Sequence, residues 1–169
     1  MQSKTYYESN KGAIDALSQE LGVNTTYACL MHQRNITTIE EGKHYLNPTK
    51  DQVKDFSLLK NIQTASNCLE QHIQSKHRIM LYGDYDVDGT SSIALVYQAL
   101  KLIMSEDLIT TYFPDRKEEG YGISIKGMEY AIENNASLVI AVDCGTKDFD
   151  SVQLARDHGL DVIICDHHE

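Results

Sequence analysis

Positive charge is what this chain is short of: 15 Lys and Arg stand against 25 Asp and Glu, for a formal net charge of −10. Phosphate backbones are held by Lys and Arg, so a broadly basic nucleic-acid surface is excluded. Any such affinity must come from a local basic strip or from parts outside this sequence. A cation-binding cluster of carboxylates is the other use for surplus acid. Also missing is any apolar run near the ~20 residues needed to cross a bilayer. The opening Met1-Gln2-Ser3-Lys4-Thr5-Tyr6-Tyr7 lacks the charged-then-apolar pattern of a signal peptide. No membrane partner is expected, and the location reads as cytoplasmic. The four cysteines (Cys29, Cys68, Cys144, Cys165) include no C-x-x-C pair. They read as reduced core thiols, not as a disulfide frame or a zinc site. Internal repeats and low-complexity tracts are absent too. What is present is a hydrophobic fraction of 41%, enough for a real core in 169 residues. That length suits one domain, or a small domain with an N-terminal attachment.

The chain changes character near residue 78. Before it the pattern is helical: Ile14, Leu17 and Leu21 share one helix face closed by Gly22, and Thr38-x-x-Glu41 has the form of a capping box. Asn47-Pro48 ends the helix begun there, and Ile62, Ala65, Leu69 and Ile73 mark a longer one. After residue 78, short apolar runs alternate with helical stretches. Strands are predicted at 78–83, 108–113, 138–142 and 161–165. Helices are predicted over the nearly all-apolar stretch 93–104, read as buried, around Ile125, Met128 and Ile132, and over 149–158 with Gly159 as its cap. Apolar strands alternating with helices indicate an α/β fold, a parallel sheet with helices on both faces, preceded by a helical segment. The expected division is therefore 1–77, helical, and 78–169, α/β. The chain stops at Glu169 directly after a strand, with no helix to cover it. The α/β domain is thus expected to be incomplete at its carboxyl end, with a last strand prone to pairing with another copy.

Three predicted strands run into ligand chemistry. The first leads to Asp84-Tyr85-Asp86-Val87-Asp88-Gly89, the third to Asp143, and the fourth to Asp166-His167-His168. Open parallel sheets bind ligands at the carboxyl ends of their strands, so these side chains should converge. Up to five carboxylates cannot share a small volume uncompensated, because like charges raise each other's pKa. Divalent cations resolve this, and mixed Asp and His ligands suit Mn²⁺ or Mg²⁺ better than structural zinc. Two such ions ~3.5–4 Å apart can activate water and stabilise both oxygens of an in-line phosphoryl displacement. Asp84-x-Asp86-x-Asp88-Gly89 also opens like a calcium-binding EF-hand loop. That loop needs a Glu at its twelfth position, here Leu95, and a preceding helix, here a strand. Asp143 alone, or His167-His168 alone, would be unremarkable; their joint occurrence at strand ends is not. His32, His44, His72, His77 and His158 have no partner motif and read as surface or packing residues.

The segments Tyr82–Gly89, Val142-Asp143-Cys144-Gly145 and Asp166-His167-His168 resemble the first three motifs of the DHH phosphoesterase superfamily. Within it, Phe113-Pro114-Asp115-Arg116 with Glu119-Gly120-Tyr121-Gly122 resembles a loop of the RecJ exonucleases. So does the stretch from Arg34-Asn35-Ile36-Thr37 to Tyr45-Leu46-Asn47-Pro48. The resemblance implies the front part of an exonuclease that removes mononucleotides from the 5′ end of single-stranded DNA in recombination and repair, using Mn²⁺ or Mg²⁺. It implies Asp84, Asp86, Asp88, Asp143 and His167 as metal ligands, with Asp143 bridging and Asp88 counted among the catalytic groups. His168 would face the scissile phosphate, and Arg116 would contact a substrate phosphate. Tyr82 stands where many members carry a histidine. A later aspartate motif, the C-terminal substrate domain and the nucleic-acid-binding barrel of the group have no counterpart here. The chain by itself is therefore expected to fold yet be catalytically silent. The competing expectations are a DHH phosphodiesterase or pyrophosphatase for small molecules, and a non-catalytic module that keeps the fold.

Overall fold

The computed structural model describes residues 2–168, with side chains from Thr5 to His168; Met1 and Glu169, on which the reading of the chain ends partly rests, lie outside the described residues. Two compact units form, Met1–Leu58 and Leu59–Glu169.

The first unit is helical: α1 (Gln2–Leu21), α2 (Thr25–Gln33) and α3 (Ile39–Leu46). Ile14 and Leu17 are fully buried against Ala28 and Cys29. Gly22, at φ +67°, ends α1 as its position promised. The capping box forms, with the Thr38 hydroxyl accepting from Glu41 N and the Glu41 carboxylate accepting from Thr38 N.

The second unit is a three-layer α/β sandwich. Its strands are β1 (Ile79–Gly83), β2 (Ile109–Tyr112), β3 (Leu138–Val142) and β4 (Asp161–Cys165). They pair in parallel in the order β2-β1-β3-β4. Helices α4 (Ile62–Gln74) and α5 (Val87–Lys101) cover one face, packing Leu69, Ile73, Ile93 and Leu100 on Ile79, Leu81, Leu138 and Ile140. Helices α6 (Ile125–Glu133) and α7 (Phe149–Asp157) cover the other, packing Met128, Ala131 and Ala155 on Met80, Tyr82, Val139 and Ala141. The chirality of parallel crossovers explains the split. The chain steps from β1 to β2 in one direction and then reverses to reach β3 and β4, and right-handed connections put the two directions on opposite faces.

The compact unit that holds residues 78–169 also takes in α4, which buries its apolar stripe on the sheet. Several expectations about burial need correction. Only the central strands β1 and β3 are buried along their whole length; β2 and β4 are edges and are partly exposed. The stretch 93–104 is not a buried helix. α5 starts earlier, ends at Lys101, buries only Gly89, Ile93 and Leu100, and leaves Leu95, Leu102 and Ile103 exposed. A single helix on a sheet can bury only one stripe, however apolar its remaining positions. Of the cysteines, Cys29 and Cys144 are buried, Cys68 is half-buried and Cys165 exposed, and all four are free thiols. Among the described residues, no helix is long and apolar enough to cross a membrane.

Candidate metal centre

The register aligns Gly83, Val142 and Cys165 across β1, β3 and β4. The residue that follows each strand is an aspartate: Asp84, Asp143 and Asp166. Neighbouring strands lie about 4.8 Å apart, so three carboxylates are delivered to one edge by pairing alone. That edge is also where the strand order reverses, between β1 and β3, the usual ligand crevice of such sheets.

The turn after β1 is tight. Asp86 caps α5, accepting from Gly89 N at 3.0 Å. A Cβ on Gly89 would stand 2.3 Å from the Asp84 carbonyl oxygen, so only glycine lets the helix start this close to the strand end. Asp84 is 4% exposed, and its Oδ1 is buried without a hydrogen-bond partner. Burial raises its pKa, reinforced by the charges of Asp86 and Asp143. An orphaned buried carboxylate oxygen beside other carboxylates is the condition a divalent cation relieves, and an all-oxygen and imidazole donor set fits a hard ion. Asp88, in the first turn of α5, and Asp86 are exposed.

After β3 the chain pivots at Asp143, whose φ of +62° is left-handed and rare outside glycine. Its amide donates to Cys165 O, and its Oδ1 lies 3.1 Å from His167 Nε2. Asp143, His167 and His168 each offer a donor atom within 4.8 Å of the others; among the described residues this close group does not extend to Asp84, Asp86 or Asp88. Electrostatics nevertheless join the two halves, because the pKa of His168 is raised first by its hydrogen bond to Asp166 and further by the charges of Asp143 and Asp84.

Two residues to which the sequence assigned no role of their own build the rest. Asp166 accepts from Thr146 N at 3.0 Å, from the Thr146 hydroxyl at 2.6 Å, and from His168 N at 3.1 Å. Burial opposes its ionisation, but these bonds and that to His168 Nδ1 outweigh it and hold its pKa well below the usual carboxylate range. Tyr121 donates to the Asp143 carbonyl and packs edge-on against His168, with its hydroxyl 2.8 Å from His168 Nδ1. With Asp166 ionised, His168 Nδ1–H donates to it, which leaves Nε2 outside that bond. The signal for both residues was their place inside recognisable motifs. Tyr82, by contrast, spends itself on the core. Its ring stacks on Tyr112, and its hydroxyl donates to Gly122 O and accepts from Ser124 N, fixing the loop that carries Tyr121. The Arg116 guanidinium lies over the Tyr85 ring at 5.3 Å, which sets it beside the first carboxylate loop.

Residues 78–169 match the N-terminal domain of the DHH family. The chain belongs to the DHH family. It is 32% identical to the single-stranded-DNA-specific exonuclease RecJ of Bacillus subtilis over 92% of its own length, and 36% identical to that of Haemophilus influenzae over 75%. It spans about a fifth of the length of these relatives. A crystal structure of exonuclease RecJ bound to manganese superposes with a TM-score of 0.60 at 31% identity, covering 66% of this chain and 28% of that one. The DHH domain of this chain thus has the parallel α/β architecture expected for it.

Proposed function

We propose that this DHH domain is the metal-binding part of a hydrolytic 5′-to-3′ nuclease that acts on single-stranded DNA in recombination and repair. The observation that carries the reading is the delivery of Asp84, Asp143 and the Asp166-His167-His168 run to one sheet edge, in a chain whose relatives are single-strand-specific exonucleases. Asp84, Asp86, Asp88, Asp143 and His167 would hold Mn²⁺ or Mg²⁺, two ions in the active protein. Bound there, the ions supply an activated water and a counter-charge for phosphate oxygens.

The chain's own residues do the rest. Asp143, directly after β3 and paired with His167, would serve both the Asp84 side and the histidine side of the cluster. His168, kept towards its cationic form by Asp166, presents Nε2 as a hydrogen-bond donor where charge develops on a phosphate oxygen. Arg116 offers a second cation at the rim for an adjoining phosphate. This reading is favoured over a small-molecule phosphodiesterase by the loop 113–122, which resembles that of RecJ proteins and sends Tyr121 to His168. The match covers about a fifth of each of these relatives, and positioning a strand is a large part of catalysis. The 169-residue chain is therefore assigned metal binding with little or no turnover. Titration with Mn²⁺, monitored by the loss of its free-ion magnetic resonance signal, tests the site. Binding by the chain that Asp143→Asn abolishes supports the reading, and absence of binding overturns it. Release of mononucleotides from labelled single-stranded DNA, assayed in the longest polypeptide the gene encodes, tests the activity.

A further inference from the structure

The opposite end of the sheet gathers a second set of ligand-type side chains. Cys68 and His72 stand four residues apart on α4 and so share a helix face. Asp161 opens β4 beside them. Cys68, His72 and Asp161 each offer a donor atom within 4.8 Å of the others. His72 is 6% exposed, with Nε2 3.0 Å from Asp161 Oδ2. Its other nitrogen, Nδ1, lies 3.1 Å from Nδ1 of His77, and the two rings meet edge to face. A buried histidine satisfied by one carboxylate would account for the His72–Asp161 pair alone. It does not account for a thiol turned to the same point, or for a second imidazole behind the first.

We propose that Cys68, His72 and Asp161 form a binding site for one divalent transition-metal ion of the Zn²⁺ class, with His77 holding the His72 ring from behind. Thiolate, imidazole and carboxylate together are a zinc donor set, whereas Mn²⁺ and Mg²⁺ prefer oxygen. With an ion in place of the proton between Nε2 and Asp161, His72 Nδ1–H donates to His77 Nδ1, which holds the ring in the metal-binding tautomer. The Asp161 side chain is 65% exposed, so the ion has an entry path and a position for a water ligand. Bound there, it ties α4 to the edge strand across 89 residues of sequence. Its binding energy then adds to folding, because the unfolded chain has no such site.

Cobalt(II) tests this in the full chain carrying Asp143→Asn, which disables the carboxylate cluster; asparagine tolerates the left-handed backbone there. A cobalt–thiolate bond gives a near-ultraviolet charge-transfer absorption that oxygen and nitrogen donors cannot give. One equivalent of Co²⁺ is expected to produce it and Zn²⁺ to abolish it. Asp161→Asn is expected to weaken the binding at least about tenfold. Zn²⁺ is expected to raise the melting temperature, but not once Cys68→Ser is added. Serine puts a smaller oxygen in place of the half-buried sulfur, so metal-free melting of that variant should shift only slightly and a lost band reports the ligand. A band that survives Cys68→Ser, or Zn²⁺ with no effect on band or melting, overturns the proposal.

Discussion

The two ends of one sheet solve the same problem in different ways. At the carboxyl ends, loop residues arrive as dense runs, Asp84 to Asp88 and Asp166 to His168, and register alone brings them together. At the amino ends, single residues meet: a helix face supplies Cys68 and His72, and a strand start supplies Asp161. The first end is hard, acidic and has a buried orphan oxygen; the second is softer and paired. Selectivity therefore depends on donor type, and visibility in the sequence depends on how the donors are spaced.

The largest expected effect comes from Asp143→Ala. It should lower Mn²⁺ affinity by at least about a hundredfold and abolish turnover in the longest polypeptide the gene encodes, because the carboxylate proposed to serve both ions is lost. The cobalt–thiolate absorption at the other end should survive. Loss of both would show that the ends are not independent. His168→Ala should cost roughly 10²–10³-fold in turnover while leaving Mn²⁺ affinity near that of the parent, as for a lost oxyanion donor. Equal loss of metal affinity in the two variants would erase the distinction between ligand and phosphate contact.

Gly89→Ala should sharpen the contrast by disturbing the carboxyl end through packing alone. Its new methyl would meet backbone atoms of Asp84, at an expected cost of roughly 1–3 kcal/mol in chemical denaturation. A wild-type stability would mean that the turn is looser than described.

The smallest effect concerns pH. The folded pKa of Asp166 is depressed, so its contribution is present above the ordinary aspartate value of about 3.9 and fades as pH falls through the folded value. His168 is raised, so its share is full below the ordinary value of about 6.5 and fades as pH rises through its folded value. Asp166→Asn should therefore lower the melting temperature by roughly 3–6 °C in the window between, with a smaller difference on either side. A difference that does not vary with pH would mean that the pair does not ionise as assigned.

Much of the carboxyl end was legible because its chemistry is local. A buried apolar run leading into Asp-x-Asp-x-Asp-Gly names both a strand and the acidic turn at its end. β3 and β4 fall on their expected residues for the same reason. Asp166 was harder to read. Its role as the acceptor that aims His168 depends on Thr146, twenty residues away, whose amide the β3 turn directs towards it. Tyr121 reaches His168 only because Tyr82, a core residue, pins Gly122 and Ser124. The apolar content of 93–104 misled because hydrophobicity counts residues, whereas burial depends on which side of the helix meets the sheet.

Residue pattern by itself determined the strands, the helices between them, the capping signals and the acidic runs, because each depends on neighbours a few positions away. Tertiary structure alone decided the strand order and hence the crevice between β1 and β3, the exposure of β4, and the packing of α4 with the sheet. It also decided the meeting of Cys68, His72 and Asp161. Those outcomes rest on crossover handedness and on contacts between distant residues, which no local spacing encodes.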